Sequence, residues 1–68
     1  MKIEFTGSPL DYAKSLTPTE LRKVIKAYKK ESSDEFIGRC RICFEHVLAG
    51  RTEQAAWWSR HAELVRPE

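Results

Sequence analysis

The sequence has few glycines, few cysteines and no long apolar stretch. It contains 3 glycines and 2 cysteines, and its longest uninterrupted apolar run is Ala55–Trp58. A membrane-spanning helix needs about 20 apolar residues, so we expect none. The N-terminal segment also lacks the cationic stretch and following apolar core of a secretory signal. Glycine-rich phosphate-binding loops are absent, and two cysteines do not make a disulfide framework. We therefore expect a cytoplasmic protein with no membrane partner.

The short length restricts the class of protein further. A chain of 68 residues has room for one domain, which excludes a two-domain enzyme, a Rossmann unit and a TIM barrel. The acidic residues are scattered, and no serine, histidine and aspartate have the spacing of a catalytic set. So small an interior can also do little to shift a pKa. We expect a protein that is not an enzyme and binds no cofactor.

Signals for the start of a helix occur four times. Ser8-Pro9 and Thr17-Pro18 each place a capping residue before a proline, with an acidic residue in the first turn. Ser32, with a glutamate three positions later, and Thr52 supply two further N-caps, and Gly50 supplies a left-handed stop between them. The sequence predicts an all-α fold, a compact domain over residues 1–68 with helices at about 9–15, 18–31, 34–49 and 53–65.

The N-terminal segment has a different periodicity. Positions 1, 3 and 5 are apolar, whereas positions 2, 4 and 6 are polar, and this alternation is typical of a strand. A lone strand has no partner inside a helical chain. We favour a short extended arm, Met1–Phe5, packed on the helices over a strand that pairs between the two chains of a homodimer.

The second helix separates an apolar stripe from a basic face. On a helical wheel the basic face covers an arc of roughly 120° and consists of Arg22, Lys23, Lys26, Lys29 and Lys30. Two like-charged pairs, Arg22/Lys26 and Lys26/Lys30, are spaced i,i+4 and each costs roughly 0.2–0.5 kcal/mol. This favours a docking surface for an acidic protein or, alternatively, for nucleic-acid phosphates. The simpler interpretation is a solvated face that keeps the domain soluble.

The third helix has a broad apolar stripe and one apolar residue that departs from it. The stripe consists of Phe36, Ile37, Cys40, Cys43, Phe44, Val47 and Leu48. Ile42 points the opposite way, beside Glu45 and His46, and we call these three residues the Ile42 patch. An isolated surface isoleucine is common. The alternative is that Ile42 forms the apolar centre of a partner site.

The pair Cys40 and Cys43 suggests zinc or redox chemistry, because His46 and His61 are additional metal-ligating residue types. The motif lies in the middle of a helix, however, and His46 diverges from Cys40 by roughly 120° on the wheel. A redox dithiol draws its low pKa from a helix N-terminus, which this position lacks. We expect both thiols to pack as small apolar groups, with a zinc-stabilised domain as a distant alternative.

The fourth helix carries two tryptophans at opposite flanks of its apolar stripe. Burying two complete indoles in so short a chain is difficult. The pattern therefore predicts one of Trp57 and Trp58 in the core and the other at its rim. His61, between Trp57 and Val65 on the same stripe, is expected at the edge of the core.

Twelve residues in the segment 17–52 coincide with the pattern of a known family: Thr17, Leu21, Val24, Ile25, Lys29, Glu31, Ser33, Asp34, His46, Leu48, Ala49 and Thr52. In this segment the chain resembles the Hha/YmoA family of small enterobacterial regulators. The resemblance implies a four-helix, non-enzymatic protein that binds the N-terminal dimerisation region of an H-NS type of nucleoid-structuring protein and modulates gene silencing. It also implies that Glu45 pairs with a basic residue on the partner. The dense basic face, the segment 1–5 and Trp57-Trp58 depart from the family pattern.

Together these features predict a non-catalytic helical regulatory module that acts by protein–protein docking. The expected partner has an acidic or mixed-charge surface, and the candidate binding residues are the basic face and the Ile42 patch. Direct nucleic-acid binding through the basic face is the alternative function. No aromatic residue interleaves the cations, which argues against a single-stranded target.

Overall fold

The computed structural model describes residues 5, 7–31 and 33–66, and this part of the chain contains four α-helices and no strand. The helices are α1 (Pro9–Lys14), α2 (Pro18–Lys30), α3 (Glu35–Leu48) and α4 (Thr52–Glu63). The all-α prediction is confirmed, and each helix end lies within two residues of its expected position. In the predicted extended arm only Phe5 is described; residues 1–4 lie outside the described residues.

The first two helices begin at their predicted caps. The Ser8 hydroxyl accepts a hydrogen bond from the Asp11 amide at 3.2 Å. At α2 the Thr17 hydroxyl accepts from the Glu20 amide at 3.2 Å, and the Thr17 amide donates to the Glu20 carboxylate at 2.9 Å. This reciprocal pair is a capping box. The hydrogen bond from the Thr17 amide holds the pKa of Glu20 below its ordinary value.

The predicted cap of α3 is wrong. Asp34 occupies the N-cap position, and its carboxylate accepts from the Ile37 amide at 3.2 Å. Because the helix begins at Glu35, the residue directly before it is Asp34, and aspartate is one of the preferred capping residues. Ser32, which was expected to cap this helix, lies outside the described residues.

The predicted cap of α4 is also wrong, because Thr52 is the first helical residue and Arg51 occupies the N-cap position without a side-chain capping bond. The cause lies in the turn before it. Gly50 has a φ of +80°, and the Gly50 and Arg51 amides donate to Val47 at 3.1 Å and His46 at 2.9 Å. This Schellman turn brings the chain round so tightly that the Arg51 carbonyl already accepts from the α4 backbone.

Helix α3 lies at the centre of the fold and contacts the other three helices. Its predicted stripe is confirmed: four members are buried, and the other three are half-buried against the same core. Phe44 is fully buried. Its ring lies 5.1 Å from that of Tyr28, 5.8 Å from that of Tyr12 and 6.3 Å from that of Phe5, measured between centroids. The aromatic side chains of three separate segments therefore meet at Phe44.

Two long-range polar contacts hold the ends of the described chain on this core. The Arg66 guanidinium donates to the carbonyls of Phe5 at 2.6 Å and Gly7 at 2.7 Å, and it lies 4.8 Å from the centroid of the Phe5 ring. The buried Ser59 hydroxyl accepts from the Leu10 amide at 3.1 Å. That amide belongs to the first turn of α1 and has no acceptor within the helix.

The tryptophan prediction is wrong in one respect, because neither indole is fully buried. Trp58 is half-buried against the core, whereas Trp57 is 51% exposed. The buried residues of α4 are Ala55, Ser59 and Ala62, so small side chains and not an indole occupy the side of the helix that packs on the core. His61 is half-buried and stacks on Trp57, with 3.6 Å between ring centroids.

The capping geometry distinguishes the two threonines that the sequence presents as caps. We expect Thr17→Ala to lower the free energy of unfolding by about 1 kcal/mol, because it leaves an amide at the start of α2 without an acceptor. Thr52→Ala removes no capping bond, and we expect a change within about 0.5 kcal/mol. Urea unfolding monitored by circular dichroism measures both values. An equal loss in the two variants would contradict the N-cap positions described here.

Candidate docking surfaces

The basic face lies on the solvent side of an unbroken helix. Helix α2 continues for 13 residues without interruption, and all five cations of the basic face are exposed. The opposite side is held by Leu21 and Tyr28, which are buried, and by Val24 and Ile25, which are half-buried. Burial raises the pKa of the Tyr28 hydroxyl, and the packing of its ring on Phe44 anchors α2.

No carboxylate of the described residues pairs with the basic face. The ion pairs within residues 5, 7–31 and 33–66 are Glu35–Arg39 at 2.6 Å, Arg41–Glu45 at 3.0 Å and Glu63–Arg66 at 2.7 Å. All three lie on α3 or at the end of α4. Lys23 is close enough to help lower the pKa of Glu20 but forms no ion pair with it. The rest of the positive charge of α2 is left to solvent in this part of the structure, as an electrostatic docking surface requires.

The Ile42 patch also lies outside the core, but its polar members already have partners. Ile42 is half-exposed and does not pack against the buried cluster. The Glu45 carboxylate accepts from Arg41, and the Arg51 Nε donates to His46 Nδ1 at 2.9 Å. Because an arginine nitrogen can only donate, Nδ1 is the acceptor and a neutral His46 ring carries its proton on Nε2.

The two predicted surfaces are on different helices, and no hydrogen bond or ion pair between described residues joins them. A basic group that approaches Glu45 has to share its carboxylate with Arg41. The basic face has no such competition, and it is the more available of the two sites for a charged partner.

A groove that the sequence does not predict lies between the end of α1, the start of α2 and the end of α3. Its volume is about 400 Å³, and its apolar lining consists of Ala13, Leu16, Pro18, Leu21, Val47 and Leu48. Two cations, Lys14 and Arg22, complete the lining. We call this the α1–α2 groove. Three of its apolar residues, Leu21, Val47 and Leu48, belong to helix stripes that the sequence assigns to the core, so their pattern gives no sign that one side remains open.

Both cysteines are buried inside the protein. Cys40 and Cys43 are fully buried and not in a disulfide, and the Cys43 thiol donates to the Ala55 carbonyl at 3.2 Å. Burial raises the pKa of Cys40 to about 12 and that of Cys43 to about 11. The prediction that these residues pack as small apolar groups is confirmed by their burial. The expectation that so small an interior can do little to shift a pKa is wrong, because burial raises both values.

The residues that the structure describes do not assemble a metal site. Within them no group of three or more histidine, cysteine, aspartate or glutamate side chains is placed to hold an ion. The zinc alternative therefore gains no support from the positions of His46 and His61. Among the same residues, no helix has the length and apolar character needed to cross a bilayer.

Comparisons with protein families, with curated proteins and with solved structures gave no match to this chain. The resemblance to the Hha/YmoA family consequently stays a prediction. The functional argument rests on the geometry of the basic face, the Ile42 patch and the α1–α2 groove.

Because both thiols are buried, we expect the stability of the fold to decrease as the pH becomes alkaline. The pKa of each thiol is higher in the folded protein than the value of about 8.5 for an exposed cysteine, so below about pH 8 both states hold their protons and the effect is constant. Above that pH the unfolded chain ionises first. We expect the melting temperature to fall between about pH 8 and 10, measured by circular dichroism.

The control for this pH effect is the double variant Cys40→Ala/Cys43→Ala, which we expect to show a shallower fall over the same range despite a lower stability at neutral pH. An identical slope in both proteins would show that other groups cause the dependence.

Proposed function

We propose that this protein is a non-catalytic regulatory module that docks through the basic face of α2 onto an acidic surface of another protein. The observation that carries the proposal is the exposure of five cations on one side of an unbroken helix, with no pairing carboxylate among the described residues. The resemblance to the Hha/YmoA family suggests a nucleoid-type partner and a role in modulating gene expression.

The contrast between α2 and α3 supports a functional reason for the basic face. On α3, residues spaced i,i+4 are of opposite charge and form the pairs Glu35–Arg39 and Arg41–Glu45. On α2 the same spacing joins like charges, and each such pair destabilises a helix by roughly 0.2–0.5 kcal/mol. A small domain has little stability to lose. Binding of carboxylates from outside offsets this repulsion.

The basic face would act mainly on the rate and orientation of encounter. A cluster of one sign attracts an acidic partner over about a Debye length and aligns it before contact. Individual exposed ion pairs contribute little affinity, so a stable complex needs apolar contacts as well. The Ile42 patch and the α1–α2 groove are two described surfaces that supply apolar groups near polar ones.

Duplex nucleic acid is the alternative partner, and the same unpaired cations favour it. Phosphates replace carboxylates in that interpretation, and the affinity then comes mostly from the release of counterions. Nucleic acid would make no use of the apolar side chains that line part of the α1–α2 groove. This difference favours protein over nucleic acid.

The central residue of the face is the place to test binding. We expect affinity capture from the native host with the wild-type chain as bait to recover a partner that Lys26→Glu does not recover. The matched control is Arg60→Glu, which makes the same change in charge at an exposed position on α4 and should keep the partner. Quantitative mass spectrometry of the captured proteins measures the ratio.

Two results would contradict this proposal. Equal loss of the partner in both variants would show that net charge, and not the basic face, controls binding. Binding of the wild-type chain to duplex DNA that weakens steeply between about 50 and 200 mM salt, and is abolished in Lys26→Glu, would establish the nucleic-acid alternative.

The same substitution should stabilise the isolated domain. Lys26→Glu converts two repulsive i,i+4 pairs, with Arg22 and Lys30, into attractive ones, and we expect the free energy of unfolding to rise by about 1 kcal/mol at low salt. Urea unfolding at low and high salt measures the gain, which should shrink as salt screens it. A loss of stability would show that Lys26 already has a favourable contact in the folded protein.

A further inference from the structure

We infer that the α1–α2 groove receives a large apolar side chain from an acidic helical segment of the partner protein, and that Lys14 and Arg22 bind carboxylates on either side of it. This inference rests on the proposed docking function and deepens it. The basic face supplies charge, and the groove supplies the apolar contact that exposed ion pairs cannot replace.

The shape of the groove fits a side chain that stays attached to a second surface. Ala13 and Leu21 are buried, while Leu16, Val47 and Leu48 are half-buried around the opening. A volume of about 400 Å³ lies near the lower end of ligand-binding clefts. The cleft is open to solvent along one side, so that it cannot enclose a free small molecule. An aromatic or leucine side chain on a partner helix would fill it and cover the opening at the same time.

The charges around the groove select the partner. Lys14 and Arg22 are the ionisable residues of its lining, both are exposed, and no carboxylate lines it. From Arg22 the cations continue along α2 to Lys26 at i+4 and Lys29 at i+7, a distance of about 10 Å at 1.5 Å per residue. An acidic helix presents carboxylates at the same intervals. The apolar lining and the cations therefore form one continuous surface that is complementary to an acidic amphipathic segment.

A second copy of this chain does not meet the same requirement. Its exposed large apolar residues on and just after α4 are Trp57 and Leu64, at 51% and 75% exposure. Trp57 stacks on His61 and has charges of both signs near it, with Glu53 at i−4 and Arg60 at i+3. Leu64 follows Glu63, whose carboxylate already pairs with Arg66, so neither residue is accompanied by a row of free carboxylates. Charge complementarity thus favours a different protein.

Selection from a phage-displayed library of short random peptides on the full chain at low salt tests the inference. We expect the enriched peptides to combine leucine, phenylalanine or tryptophan with at least two carboxylates at helical spacing. Replacing that apolar side chain with alanine in a synthetic peptide should weaken binding at least about tenfold, as for the central side chain of an interface. Amide shifts in NMR spectra should cluster at Leu16, Leu21 and Val47.

Two double variants with the same change in charge locate the site. Lys14→Glu/Arg22→Glu reverses both cations of the groove, and we expect it to weaken the peptide at least about tenfold. Arg51→Glu/Arg60→Glu makes the same change in charge at two exposed cations outside the basic face and the groove, and it should weaken binding less than about threefold. We expect both variants to fold because all four residues are exposed, and circular dichroism verifies this.

Several results would overturn the inference. The inference fails if no peptide is enriched or if the enriched peptides lack carboxylates. It also fails if the chain forms a dimer that Lys14→Glu/Arg22→Glu dissociates, because a second copy would then occupy the groove. Equal weakening by both double variants, together with no effect of the alanine peptide, would show that net charge and not the groove binds the peptide. The proposed function is tested separately by affinity capture. It fails if Lys26→Glu recovers the same partner as the wild-type chain.

Discussion

The burial of Phe44 determines where the rest of the molecule can lie. Its ring is in contact range of Phe5, Tyr12 and Tyr28, which come from the segment before α1, from α1 and from α2. Tyr28 is also one of the two fully enclosed residues of α2, so its contact with Phe44 sets the rotation of α2 about its own axis. Once that rotation is set, residues on the opposite side of α2 must face solvent. The orientation of the basic face is therefore a consequence of core packing.

Paired and unpaired charges are distributed unevenly over the described surface. Helix α3 and the end of α4 carry paired charges at distances from 2.6 to 3.0 Å, whereas α2 carries cations without described partners. Binding surfaces commonly keep features that reduce stability, because the partner later satisfies them. The groove beside Arg22 follows the same logic, since it leaves apolar side chains of α1, α2 and α3 partly uncovered.

Local signals predicted most of the fold, and the errors come from long-range packing. The caps at Ser8 and Thr17 are specified by residues within one turn, so the sequence alone was sufficient there. The cap of α4 depends on how Gly50 closes the preceding turn, which a search for threonine cannot detect. The burial of the two tryptophans depends on which side of α4 packs against α3. The five cations were predicted from the helical period, whereas the α1–α2 groove joins three segments that only folding brings together.

The hydrogen bonds of Arg66 have a consequence for the use of this domain as a building block. Through them the backbone carbonyls of Phe5 and Gly7 lie within reach of the side chain of Arg66, three residues after the last helix. When the segment before the first helix and the segment after the last helix lie close together, a domain can be inserted in place of a surface loop of another protein. The insertion then does not force the two ends of that loop apart. The basic helix would then be displayed on a new scaffold in its native orientation, because nothing in the transplant disturbs the packing beneath it.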